Sequence, residues 1–289
     1  MTTAHAGPLD GAAKARPQGW LPNPLATDPA TAERQAHVIL ARRYSSPPGP
    51  VRCLTARYRT AAFALGDPPD RVLKRHADQA GYFGEVLAYE LLADECVLPH
   101  LYRACDTSQT LLVDYLDQAV ALAATDAFCE LVRAVAVIHT SSARWHPTMT
   151  EAMARWQAGK AVNAPPPGWI TRPDDWHRLL QLVTDAHGPE HVPLGHLDLK
   201  PDHVRRRGKG HLALVDAETL RPDITGLPDL ITLAYIARGQ GCRSPRWVRQ
   251  AYLHHVRDLG AQWNDQSLTR ALTAFAAATG LHSLHGVHE

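Results

Sequence analysis

Apolar positions alternate with polar ones through much of the first half of the chain and recur at helical spacing through most of the second. Residues 51–65 alternate well enough to predict two strands. A turn at 66–69 leads into a third strand at 71–74. Strands are also predicted at 101–104 and 110–115. Between the two groups, a helix is predicted over about 78–93. Ahead of the strands, residues 30–44 have a helical pattern with Thr31 as its N-cap and Val38, Leu40 and Ala41 apolar; 45–50 break it. Further on, 119–140 predicts a long helix with Leu131, Val135 and Ile138 on one face. Helices follow near 150–158 and at 174–187, separated by a Pro-Gly break at 165–168, and then at 230–238, 245–259 and 267–278. Trp145, Trp156, Trp169 and Trp176 fall in the 141–192 region, where core and substrate platform are the two roles open to them. Residues 1–30 follow neither period and hold Pro8, Pro17, Pro22, Pro24 and Pro29. Trp20 and Leu21 are the side chains able to tether that opening stretch.

The chain is organised around 193–229. A short apolar run, Leu212 to Val215, predicts a buried strand ending at Asp216, with Val204 and Arg205 as a facing strand. Asp198 lies upstream in His196-Leu197-Asp198-Leu199-Lys200-Pro201-Asp202-His203. Two carboxylates at the ends of neighbouring segments then face one cleft. Phosphoryl transfer from ATP uses such a pair: one orients a hydroxyl and takes its proton, the other holds a magnesium ion.

These residues resemble the protein-kinase-like superfamily and, within it, the aminoglycoside phosphotransferase family. His196 and Asp198 match the catalytic H-x-D loop. Asp216, followed by Ala217 and Glu218, looks like the metal aspartate of small-molecule phosphotransferases. Asp229 resembles the aspartate that braces the catalytic loop. Lys74 is similar to the phosphate-binding lysine of the third strand, and Glu85 to its ion-pair partner, with Glu90 as the alternative. Asp114 and Leu116 fall in the segment resembling the hinge, where adenine meets backbone groups. His139 looks like the histidine packed below the loop. The resemblance implies an α+β, two-lobed fold: an irregular extension over 1–29, a nucleotide-binding antiparallel sheet lobe over 30–116, and a larger, mainly helical catalytic lobe over 117–289. It implies ATP and Mg2+ as cofactors.

The departures from that pattern are specific. His203 stands where the family has a metal-binding Asn, and a nitrogen is a softer donor than an amide oxygen. Lys200, beside the base, resembles the loop of Ser/Thr protein kinases. No glycine occurs in the first strand turn, 56–61, so Arg59 or Arg57 is the candidate phosphate contact there, against the plainer reading of exposed strand charge.

Composition narrows the partners. With 45% apolar residues, 20% charged residues and a net charge of +1, the chain is of ordinary globular make-up and has no strong field for nucleic acid or membrane. No apolar run approaches a bilayer span, and the first residues lack a signal-type core, so a cytoplasmic monomer or homodimer is expected. Five widely spaced cysteines suit reduced thiols. The 17 histidines include His254-His255 and the group His282, His285, His288, without the Cys or carboxylate spacing of a zinc site. Three functions stay open: a phosphotransferase for a small-molecule alcohol, a kinase of Ser or Thr in a peptide, and a pseudokinase that only binds. Scattered acids such as Glu151, Asp174 and Asp175 speak against a polycationic acceptor.

Overall fold

The alternating stretches of the first half form one antiparallel sheet. Its strands are β1 (Val51–Ala56), β2 (Thr60–Gly66), β3 (Pro69–His76), β4 (Leu101–Cys105) and β5 (Thr110–Asp114), in the order β1-β2-β3-β5-β4. The structure is a computed structural model and describes residues 21, 25–44, 49–141, 170–187, 194–206, 208–220, 226–281 and 283–288. The expected helix at 150–158, the break at 165–168, Trp20, Trp145, Glu151, Trp156, Trp169 and most of the 1–29 stretch lie outside them.

Period two sorts β3 onto both faces of the sheet. Leu73 packs with Ala61 and Phe63 under helix α1 (Pro29–Ile39), which contributes Ala32 and Ala36. Val72 faces the other way, toward Tyr82 and Tyr89 of α2 (Gln79–Leu91). The sheet is thus covered by one helix on each side. Helix α1 begins earlier than the sequence pattern predicts. Asp28 is its cap, accepting from the Thr31 N–H at 2.8 Å, and Pro29 takes the first helical position, where its missing donor costs nothing. Thr31 is therefore the capped residue and not the cap. At its end α1 widens into a π-helical turn, Leu40–Tyr44, that carries Arg42 and Arg43.

The second half is helical: α3 (Thr125–Thr140), α4 (Pro173–His187), α5 (Leu227–Gln240), α6 (Pro245–Asp258) and α7 (Asp265–Thr279). Their apolar faces share one core that includes Leu131, Val135, Ile138, Leu230, Val248 and Leu272. Trp176 is 1% exposed within it, so this tryptophan is a core residue. Helix α3 starts later than its apolar stripe suggests. Gln118–Ala119 instead form a short strand, β6, that pairs with β7 (Val204–Arg206), and β7 pairs with β8 (Leu212–Leu214). Pairing with a distant strand overrides local helix propensity here. Glu130 on α3 holds the β7–β8 hairpin, accepting from the Leu212 N–H at 2.7 Å and from the Arg206 guanidinium.

Arg249 ties the last helices together. It is 3% exposed. Its guanidinium donates to the Asp265 carboxylate at 3.0 Å, the Asp265 carbonyl at 2.6 Å, Thr269 Oγ1 at 2.7 Å and the Val287 carbonyl at 3.1 Å. No described helix is long and apolar enough to cross a membrane. All five cysteines are free thiols.

Removing the guanidinium would leave the buried Val287 carbonyl and the part-buried bonds to Asp265 and Thr269 without their donor. Arg249→Met is expected to lower the unfolding free energy by about 2–4 kcal/mol, measured by urea titration with tryptophan fluorescence. A loss below about 0.5 kcal/mol would show that water replaces the guanidinium without penalty.

Candidate active site

Strand β3 and helix α2 bring Lys74, His76 and Glu85 to one point, and the segment after β8 brings Asp216 and Glu218. Lys74 Nζ lies 2.9 Å from Glu85, 2.6 Å from Asp216 and 3.2 Å from Glu218. Glu85 is 2% exposed and accepts a second hydrogen bond from His76 Nε2 at 2.7 Å. Burial acts to depress the Lys74 pKa, but the surrounding carboxylates outweigh it and hold the ammonium well above its ordinary value. Burial likewise pushes Glu85 up, and the charge of Lys74 with the hydrogen bond from His76 brings it below the usual range. Asp216 follows the same logic: burial raises it, while Lys74 and His203 lower it further than that. Glu90, the other acid considered on α2, is exposed.

Two local features make the convergence possible. Asp216 adopts left-handed backbone angles, φ 62° and ψ 48°, a region that Asp tolerates better than most residues. The chain turns there, out of β8 and toward Lys74. Helix α2 then packs closely on the next residues, since a Cβ at Gly84 would sit 3.0 Å from the Glu218 carbonyl oxygen.

The loop carrying Asp198 is fixed from below. Asp229, 1% exposed, accepts from the backbone N–H groups of His196 at 2.6 Å and Leu197 at 2.8 Å. It also meets His139 Nε2 at 3.1 Å, and His139 Nδ1 lies 2.9 Å from the Tyr252 hydroxyl. The His139 ring lies against Gly226, where a Cβ would come within 2.5 Å of it. His196 Nε2 donates to the Val215 carbonyl at 3.0 Å, and Thr219 Oγ1 donates to the His196 carbonyl at 2.6 Å. These bonds lock the loop to the Asp216 segment. Asp198 is left partly exposed, with Lys200 Nζ 2.7 Å away. His203 Nε2 is 3.4 Å from Asp216. Burial is the largest influence on the His203 ring, and the nearby His196 adds to it; together they exceed the pull of Asp216 and hold its pKa below the usual value, so it is neutral near pH 7.

Beside this cluster lies a cavity of about 370 Å³. Leu54, Ala62, Val72 and Val215 give it apolar walls, and Lys74 and Asp216 form its polar end. Asp114 and Leu116 line it too. The Asp114 carboxylate accepts from the Tyr102 hydroxyl at 2.7 Å and the Tyr115 N–H is taken by the Asp70 carbonyl at 2.9 Å, so this segment is held to the sheet. Arg59 is not on the cavity wall. Its guanidinium is 3.6 Å from Asp78, the cap of α2, at the rim of a separate hollow of about 320 Å³ shared with His76 and Glu218.

Two residues join the cluster that motif spacing alone did not single out. His76 follows Lys74 by two positions on the same strand, so the period of β3 aims it at the same place. Glu218 follows Asp216 by two, in the Asp-x-Glu run. Among the described residues, His76, Glu85 and Glu218 form a group with ligand atoms within 4.8 Å of one another. Lys74 Nζ already serves as the cation of that group.

No protein-family model matches the chain, and no curated protein sequence matches it. Solved structures do match. An ethanolamine kinase from Plasmodium vivax superposes with a TM-score of 0.57 at 11% identity, over 91% of this chain and 84% of that one. A macrolide 2'-phosphotransferase from Brachybacterium faecium gives a TM-score of 0.48 at 17% identity, over 88% of this chain and 96% of that one. A choline/ethanolamine kinase family protein from Mesorhizobium loti gives 0.45 at 16%, over 89% and 90%. The first of these likenesses establishes a shared fold: the chain is an α+β, two-lobed protein of the protein-kinase-like type.

The ionic cluster has a pH signature. Glu85 and Asp216 are held below their ordinary pKa, so their share of stability is present above pH ~4 and is lost as pH falls through their lowered values. Lys74→Met removes the ammonium and leaves the buried Glu85 and the half-exposed Asp216 without their counter-charge, which raises their pKa values. The variant should be much less stable than wild type at neutral pH, and the gap should narrow by pH ~4.5 as the acids protonate. A gap that is constant with pH, measured by chemical denaturation, would contradict the coupling.

Proposed function

We propose that the protein is an ATP-dependent phosphotransferase that moves the γ-phosphoryl group to a hydroxyl of a small molecule. One observation carries the reading: Lys74 and Asp216 form the polar end of a cavity whose walls are apolar, and His203 stands between the two aspartates, 3.4 Å from Asp216 and 4.0 Å from Asp198. The apolar slot suits a nucleobase. Lys74, clamped by Glu85, suits phosphate oxygens. The fold shared with an ethanolamine kinase supports a small alcohol as the acceptor.

The residues at the polar end fit a magnesium ion. Glu85, Asp216 and Glu218 set three carboxylates against one ammonium, a formal excess of two negative charges at the cleft. Asp216 and Glu218 are hard oxygen donors of the kind this ion prefers. His203 is the nitrogen of the set and the poorer donor; neutral, it braces the Asp216 carboxylate. When bound, the metal would supply positive charge to the phosphates.

The chain's own residues do the rest. Asp198 accepts the proton of the acceptor hydroxyl as its oxygen forms the new bond to phosphorus, and ADP leaves with the electrons of the broken P–O bond. Lys200, in contact with Asp198, adds positive charge where the phosphoryl group passes. The rate enhancement comes from position and electrostatics. Lys200 also favours a second acceptor, a Ser or Thr side chain of a peptide.

Asp198→Asn is expected to reduce turnover by about 10²–10⁴ while ATP binding, followed by calorimetry, stays near wild type. Asp216→Asn should lose the magnesium dependence of that binding. Absence of ATP binding to the wild type, with and without magnesium, would move the reading to a binding protein built on this fold.

A further inference from the structure

A second cation-rich hollow lies on the face of the sheet away from Lys74. It has a volume of about 310 Å³ and sits between the π-helical turn after α1, strand β3 and the turn joining β4 to β5. Arg42, Arg43 and Arg75 line it together with the hydroxyl residues Thr107 and Ser108. Among the described residues, none of these arginines has a carboxylate within ion-pair distance. Arg75 Nη1 donates to Gln35 Oε1 at 3.1 Å, a neutral amide, and Arg75 Nε is buried with no partner at all. The nearest acids on the surrounding elements are committed elsewhere. Asp106 accepts from the Tyr82 hydroxyl at 2.7 Å, and Glu33 accepts from the Cys53 N–H at 2.7 Å. In the sequence, residues 1–20 hold Asp10 as their one acid.

Leaving the Arg75 guanidinium partly desolvated and unneutralised is unfavourable. The local field shows it. Burial depresses the pKa of Arg75. The thiol of Cys105 on β4 is pushed up by burial, yet ends below its ordinary value, drawn down by hydrogen bonds from Ser108 and by the charge of Arg43. An anion would remove the imbalance. Guanidinium forks and hydroxyl donors around a small concavity match the oxygens of a phosphate group. The apolar edge formed by Val38 and Ile39 leaves room for a short carbon attachment.

We propose that this hollow is a phosphate-binding site, distinct from the nucleotide cleft, taking either a free phosphate or a phosphate monoester. It is independent of the cleft's chemistry: Arg75 and Lys74 are neighbours on β3 but face opposite sides of the sheet.

Calorimetric titrations with inorganic phosphate and with a short phosphoserine peptide test the site. They would be run on the full chain with the cleft saturated with ADP and magnesium. The wild type should bind at least one probe under these conditions. Arg42→Gln/Arg43→Gln should weaken that binding at least about tenfold, with thermal melting unchanged, since both residues are exposed. If the double variant melts lower, the single variants Arg42→Gln and Arg43→Gln serve instead, each expected to weaken binding. Preference for the peptide would identify a phosphorylated side chain as the source, and equal or tighter binding of inorganic phosphate a small molecule; either supports the site. Unchanged affinity in the arginine variants, or no binding of either probe to the wild type, would overturn it.

Discussion

A buried ammonium surrounded by carboxylates is the interaction on which the rest of this structure depends. Lys74 joins three elements at one point: strand β3, helix α2 and the segment after β8. Each partner alone would be expensive to bury, and together they neutralise most of one another. The joint is also a competition. The lysine that would hold phosphate is in contact with the aspartate that would hold the metal. On the proposed function, nucleotide and metal would have to separate them. The excess negative charge favours the cation's arrival, and the cation in turn favours the phosphates.

The loop bearing Asp198 obeys a different constraint, which is backbone satisfaction. Leu197 has φ 64°, an unfavourable region for a leucine. Asp229 compensates by accepting the N–H groups of His196 and Leu197, and His139 and Tyr252 extend the network into the helical core. Position and not acidity is what this buried network provides: it aims Asp198 outward while taking no part in chemistry itself.

Much of this was legible in the sequence, and for stated reasons. Period two found the sheet, and among the ordered anchors Lys74, Glu85 and Asp216 meet at one point while Asp229 holds the loop that bears Asp198. The parts that were not legible are those decided by distant contacts. Ala119 reads as the start of a helix until β7 claims it together with Gln118. Arg59 reads as a phosphate contact, but Asp78, the cap of α2, lies within its reach. His76 needed no motif, only the strand's alternation, yet nothing local distinguishes it from the other histidines. The cap of α1 lay one turn earlier than its apolar pattern, since Asp28 and Pro29 are themselves polar or irregular.

The short pairing of β6 with β7 carries a mechanical consequence. Tyr115 is bonded to Asp70 in the sheet and Gln118 to the hairpin, so only Leu116 and Asp117 stand between two anchored ends. The Leu214 N–H is bonded to the Val97 carbonyl at 2.8 Å, which joins the same hairpin to the sheet side a second time. Two fastenings define a line. A relative motion of the halves that kept both fastenings would be a swing about a line through Val97 and Leu116, like a door on two pins. The latch of that door is the contact of Lys74 with Asp216, opposite the pins.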